Sequence, residues 1–187
     1  MKSLTTPIPG CLELRPVPFD DDRGRFVKSF TATAFRDMGL RCDWAEQYHS
    51  ISLHGVLRGL HFQLPPHEHA KLVYCPIGEV LDVVLDLRVG SPAYGSWFSL
   101  QLSSSAANAL YIPSGVAHGF RVMSEQAVLI YNVTSNYAPA HDSGIRWNSA
   151  GVTWGASSLN VSARDRALPA LREFNSPFIF DRDKPSL

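Results

Sequence analysis

Short apolar runs, each closed by Pro, Gly, Ser or Asn, dominate the centre of the chain. Runs of that length bounded by turn formers predict β-strands, here at 56–64, 71–75, 79–87, 97–102, 109–112, 119–123 and 127–134. Within 82–87, Val83, Leu85 and Leu87 alternate with Asp82, Val84 and Asp86, the period of a strand with one dry face. One helix is predicted, over 31–38, where Thr31 or Thr33 can cap the start and Gly39 can end it. Helices between the strands are missing, so a parallel βαβ sheet is disfavoured and an all-β sandwich or jelly roll is expected. After Trp154 charge rises and alternation fades, which predicts a wrapping segment of turns and a short helix. No linker or internal repeat interrupts 1–187, so a single domain is expected.

Composition narrows the function classes. Hydrophobic residues make up 45% and charged residues 18%, enough for a sizeable core. Lys+Arg and Asp+Glu balance at 17 each, leaving no basic excess to track a phosphate polymer, so no nucleic-acid partner is expected. Cys11, Cys42 and Cys75 are odd in number and scattered, which fits a reducing compartment and neither a disulfide framework nor a structural zinc site. The opening residues reach Pro7 and Pro9 before any apolar stretch of signal-peptide length, and no run approaches the roughly 20 apolar residues of a membrane span. A cytoplasmic protein without a membrane partner is expected.

Histidines are the first candidates for chemistry near neutral pH. Pro113-Ser-Gly-Val-Ala-His118 has the P-x-G-x-x-H form of the second cupin motif, a turn that delivers a histidine to the mouth of a jelly roll. His67-x-His69 looks like the start of the first, metal-binding motif, but Ala70, Lys71, Leu72, Val73 and Tyr74 follow where a glutamate is needed. A lysine there repels a cation, and Pro65, Pro66 and Glu68 suggest that both histidines lie on an exposed loop; no metal is expected. Positioned acids and bases remain: Arg58, His61, Lys71, Asp82, His118 and Tyr131. His61 suits a general base, Lys71 or Arg58 can stabilise an oxyanion, and Tyr131 can return a proton. That set suits removal of a carbon-bound proton beside a carbonyl better than hydrolysis. The residues alone leave alternatives open: Asp82 as a solvated strand residue, Tyr131 as a core aromatic, Arg58 in a structural ion pair. Strict alternation also puts Arg58 and His61 on opposite faces unless the strand bulges, with Gly59 the natural place.

Taken together, Val56-Leu-Arg-Gly-Leu-His-Phe-Gln63, Lys71-Leu-Val, 78–88, Tyr111-Ile-Pro-Ser-Gly-Val-Ala-His-Gly-Phe120, Tyr131, Tyr137-Ala-Pro139, Gly144-Ile-Arg-Trp-Asn148 and Ser162-Ala-Arg-Asp165 resemble the dTDP-4-dehydrorhamnose 3,5-epimerase family. The resemblance runs from about Gly10 to Leu171. It implies a cupin double-stranded β-helix, a homodimer and no cofactor, inverting C5 and/or C3 of a nucleotide-linked 4-keto-6-deoxyhexose. In that reading His61 is the base, Asp165 its partner, Tyr131 the acid on the opposite face and Lys71 the group that stabilises the enolate. Arg23, Phe26, Lys28, Gln47, Tyr48, Arg58, Asp82, His118 and Tyr137 fall among the substrate-binding positions. Arg23 would reach the neighbouring subunit's nucleotide, and Arg58 the diphosphate.

The chain departs from the family pattern at specific places. Lys28 ends Arg25-Phe-Val-Lys28 where a glutamate is frequent, and Tyr48 stands where an asparagine is usual. Ser149 and Gly155 differ from the common aspartate and Trp-Pro. Lys28 and Tyr48 fall among nucleotide and sugar contacts, so the expected carrier is dTDP or CDP, with a C5-only epimerisation of a CDP-linked 3,6-dideoxy sugar as the alternative. Two readings from other classes are a metal-dependent cupin and a non-catalytic sugar-nucleotide binder.

Overall fold

The computed structural model describes residues 1–156 and 158–184. Strands β1 (Lys2–Thr5) and β2 (Leu12–Arg15) come first, then a hairpin of β3 (Phe19–Asp21) and β4 (Gly24–Phe26) and helix α1 (Ala32–Asp37). The barrel strands follow as β5 (Glu46–Leu53), β6 (Val56–Gln63), β7 (Lys71–Ile77), β8 (Glu79–Asp86), β9 (Trp97–Ser103), β10 (Ala109–Ile112), β11 (Val116–Val122) and β12 (Gln126–Val133). Last come β13 (Asp142–Gly144), β14 (Asn160–Val161), α2 (Ala163–Ala167) and a 3₁₀ turn at Leu171–Glu173. The first sheet runs β1-β2-β10-β7-β12-β5; the second runs β13-β6-β11-β8-β9, with β14 parallel beside β6.

The two sheets close over one core. Val73, Ile112 and Leu129 from the first meet Val80, Val84, Phe120 and Val122 from the second, and each such fully buried side chain contributes about 1.5–3 kcal/mol. This is the expected all-β jelly roll. All seven predicted strands are present, most shifted by one to three residues at an end.

Three details correct the sequence reading. β8 has two dry faces, not one: Val83, Leu85 and Leu87 pack under Trp154, Val161 and Phe178 of the terminal segment. That segment wraps the outer face with α2 and the 3₁₀ turn, while Asp82, Val84 and Asp86, which alternation left to solvent, are buried on the other side. Thr31 occupies the N-cap of α1 but its side chain makes no capping bond. The helix is held instead by Phe35, which makes edge contacts with Phe30, Trp44 and Tyr111, and it stops at Gly39 (φ +69°). Finally, β5 is a full eight-residue strand at the end of the first sheet, and no apolar run predicts it.

Candidate active site

Arg58 and His61 reach one cavity because β6 bulges. His61 pairs with His118 of β11 and Arg58 with Phe120, so Gly59 and Leu60 together oppose Gly119. Two glycines permit this: Gly59 has φ +140°, and a Cβ on it would lie 2.6 Å from the Gly119 Cα. Alternation resumes out of step, which turns both side chains inward.

The terminal segment then fixes His61. Parallel pairing of β14 with Val56 and Leu57 brings Ser162 to the start of α2, where its hydroxyl accepts the Asp165 N–H at 3.0 Å. Asp165 is thereby aimed at β6. Its Oδ1 lies 2.7 Å from His61 Nε2, and its Oδ2 accepts the Gly59 N–H at 3.2 Å. Burial pushes the Asp165 carboxyl up, but the hydrogen bond from His61 and its charge, with the Gly59 amide, outweigh this and hold it below the usual carboxylate range. An ionised carboxylate accepts from Nε2–H and leaves Nδ1 of His61 with a free lone pair.

Lys71 enters from β7, on the opposite sheet, and donates to the His61 carbonyl at 3.2 Å. Burial lowers its pKa to about 8 against the opposing pull of Asp142 and Asp82. Behind the cavity, His118 Nε2 lies 2.8 Å from Asp82 Oδ2, both fully inside. Burial raises the Asp82 pKa against the charges of His118 and Lys71. Asp82 is therefore a core partner of His118, not a solvated strand residue.

Tyr131 of β12 faces the same space from the first sheet. Desolvation raises its pKa strongly, with Ser50 opposing; its hydroxyl lies 3.4 Å from Ser50 Oγ. Tyr48 stacks on its ring and His118 meets it edge-on. Arg58 is held by Nε–H donation to Ser52 Oγ at 3.0 Å.

These groups line two connected lobes. One, of about 270 Å³, takes in Ser50, Arg58, His118 and Tyr131. The other, of about 430 Å³, takes in Glu46, Gln63, His69, Tyr137 and Asp142. Tyr48, His61, Lys71 and Arg164 border both.

Some expected residues lie elsewhere. Gln47 lies on the other face of β5 from Tyr48, where it donates to Asn132 Oδ1 at 2.7 Å. Arg23, Phe26 and Lys28, on or just after the exposed β3–β4 hairpin, do not reach the cavity of their own chain, and Arg23 pairs with Asp21. His69 is not on an exposed loop. Its Nδ1 lies 3.1 Å from Ser135 Oγ, and burial, with Lys71 nearby, lowers its pKa to about 3. His67 is half-buried with its ring against His141. Among the described residues no group of three or more His, Cys, Asp or Glu is arranged to hold a metal ion.

Sequence reasoning missed Glu46, which accepts the Tyr137 N–H at 3.0 Å, and the Asp142–Arg164 ion pair at 2.7 Å, with the Tyr137 hydroxyl donating to Asp142 at 3.2 Å. Arg164 directly precedes Asp165 in the recognised Ser162-Ala-Arg-Asp165, the one available signal. Among the described residues no helix is long and apolar enough to cross a membrane.

Known proteins share this fold over nearly the whole chain. The family model for dTDP-4-dehydrorhamnose 3,5-epimerase matches residues 5–173. The enzyme of that name from Salmonella typhimurium is 41% identical over 172 residues, 90% of this chain and 94% of that protein. The Escherichia coli one is 40% identical over 177 residues, 92% and 96% of the two chains. Among solved structures, the dTDP-6-deoxy-D-glucose-3,5-epimerase from Legionella pneumophila in complex with dTDP-4-keto-L-rhamnose superposes with a TM-score of 0.89 at 32% identity, covering 93% of this chain and 94% of that one. A 3'-monoepimerase from Streptomyces bikiniensis in complex with dTDP-quinovose gives 0.86 at 31%, covering 90% and 87%. With a jelly roll, a family match over nearly its whole length and relatives at this level of identity, the chain belongs to the dTDP-4-dehydrorhamnose 3,5-epimerase family.

Proposed function

We propose that the cavity binds a dTDP-linked 4-keto-6-deoxyhexose and that His61 and Tyr131 exchange its configuration at C5, C3 or both. The enzyme is an isomerase of the nucleotide-4-keto-6-deoxysugar type. The observation that carries the assignment of roles is the pairing of His61 with an ionised Asp165 on one sheet, with Tyr131 and Lys71 on the other. Nδ1 of His61 takes the proton alpha to the ketone, and the C–H electron pair moves into the carbonyl, giving an enolate. The Lys71 ammonium, in a site with little competing water, stabilises that oxygen. Tyr131 then donates its hydroxyl proton to the opposite face of the carbon; it is reprotonated from solvent, and the protonated His61 releases its proton to solvent. Arg58 fits a diphosphate oxygen. His118 and Asp82 support the site from behind, and Tyr137 with Asp142 and Arg164 borders the wider lobe for the rest of the substrate.

The protein acts in the cytoplasm as a homodimer, with Arg23, Phe26 and Lys28 on or beside a hairpin arm that serves the partner subunit's site. The exposed Phe19–Phe26 pair on that arm supports this part of the reading. Sedimentation should give twice the 20.7 kDa chain mass; a monomer would leave Arg23 without this role.

Incubation with dTDP- and CDP-4-keto-6-deoxyhexoses in deuterated water tests the reaction. Deuterium should appear at C5, C3 or both of the dTDP sugar. Exchange confined to the CDP sugar would move the reading to that carrier, and no exchange with either would reject it. His61→Ala and Tyr131→Phe should each lower turnover about 10²–10⁴-fold.

A further inference from the structure

The Tyr131 ring is buried at the barrel core, and two further rings pack against it. Among the described residues its hydroxyl touches Ser50 Oγ at 3.4 Å, too long to fix an orientation. Tyr48, directly opposite Tyr131 in the β5–β12 register, stacks on it with ring centroids 4.9 Å apart and planes 19° apart. His118 braces another side at 6.0 Å and 70°. Tyr48 also borders both lobes of the cavity, so a bound sugar at their junction meets the stack. The base has no such dependence. Asp165 and the Gly59 amide hold His61 from the second sheet, and Tyr48 belongs to the last strand of the first.

We infer that Tyr48 is a positioning residue that holds the Tyr131 phenol where it can protonate the enolate, and so sets the fraction of enolates that leave inverted. The inference rests on the epimerase reading above. The C–H proton goes to His61 and the electron pair to the carbonyl oxygen. The enolate then divides between two outcomes. His61 can return a proton to the original face, which restores the starting sugar, or Tyr131 can give its O–H proton to the opposite face. The latter leaves a phenolate that takes a proton from solvent while the protonated His61 gives its proton up to solvent, so configuration is the only net change. Loosening Tyr131 shifts the division towards return without slowing abstraction.

The test follows deuterium uptake and inversion of a dTDP-4-keto-6-deoxyhexose in deuterated water, for the wild type, Tyr48→Ala and Tyr48→Phe. Deuterium in recovered starting sugar at early times reports return after the proton on His61 has exchanged with solvent, and the epimer reports inversion. Tyr48→Ala should lower the ratio of inversion to return about two- to tenfold, the scale of one aromatic pair; both products form from the same bound enolate, so weaker sugar binding by the variant lowers both and does not move the ratio. Tyr48→Phe keeps the ring and should restore the ratio. Tyr48 is half-exposed on the last strand of its sheet, and an effect on folding would lower both products together and leave the ratio unmoved. An unchanged ratio in Tyr48→Ala would overturn the inference. A Tyr48→Phe variant as impaired as Tyr48→Ala would also overturn it, by assigning the effect to the hydroxyl. No uptake by the wild type would reject the epimerase reading itself, a separate result.

Discussion

Lys71 is a cation held inside a β-barrel, and replacing it with methionine separates what the fold needs from what the reaction needs. Its side chain is buried in β7, and burial draws its pKa from 10.5 to about 8. At pH 7 that displacement corresponds to about 3 kcal/mol spent on keeping the ammonium charged indoors. Methionine has similar length and no charge. It forfeits the hydrogen bond from Nζ to the His61 carbonyl, worth about 1 kcal/mol, and removes the Lys71 charge that opposes the upward shift of the buried Asp82. The variant should therefore be more stable than the wild type by about 1–2 kcal/mol at pH 7. The sign with pH follows from the direction of the shift. Between about 8 and 10.5 the unfolded wild-type chain holds a proton that the folded chain has released, so wild-type stability rises with pH relative to the variant. The advantage of the variant should be full below pH 8 and fade as pH approaches 10.5. Urea unfolding of both proteins at pH 7, 8.5 and 10 measures it. Turnover of the variant should fall about 10²–10³-fold through loss of the enolate's cation. A variant less stable than wild type at pH 7, or a stability gap that does not change with pH, would refute the argument.

Other substitutions test other parts of the site. Gly59→Ala forces a Cβ to within 2.6 Å of the Gly119 Cα at φ +140°, and should cost about 3 kcal/mol or more in thermal unfolding. Asp165→Asn can offer an N–H to Nε2 of His61 and move the ring proton onto Nδ1; turnover should fall about 10²–10⁴-fold, and substrate binding by calorimetry should hold. Ser52→Ala releases the Arg58 guanidinium, now held at 3.0 Å, and should raise KM about threefold to tenfold with kcat little changed, read from steady-state kinetics.

The strands differ in how much of them could be read from the chain. β7, β8, β11 and β12 carry core residues in unbroken or alternating runs, so their hydrophobic pattern announces them. The pattern also located the bulge: Arg58 and His61 could share a cavity only if β6 broke step, and Gly59 was the residue able to do so. β5 defeats the same reasoning because its polarity is reversed. Its inward positions are Glu46, Tyr48, Ser50 and Ser52, which serve the cavity, while Ile51 and Leu53 are exposed. The period of two is intact, but the buried face is polar. Gln47 was misplaced for the same reason, since choosing the face of β5 requires knowing which side holds the cavity. The Asp142–Arg164 pair joins residues 22 positions apart through tertiary contact, and no local pattern points to it.

This asymmetry bears on how the site works. The groups that orient the His61 ring come from the second sheet and the segment wrapped over it: the bulge, the Gly59 amide and Asp165 at the start of α2. Those parts are mutually locked, because moving Asp165 also unpairs the Gly59 N–H and disturbs the Ser162 cap. What faces the substrate from β5 lies at the end of the other sheet, each residue tied to one group: Glu46 to the Tyr137 amide, Tyr48 to the Tyr131 ring, Ser52 to Arg58. A change there alters one contact and leaves the base intact. On the proposed reading, proton abstraction therefore rests on a mutually locked set of contacts, whereas a substitution along β5, where the chain departs from the family pattern at Tyr48, changes single contacts on the substrate side of the cavity.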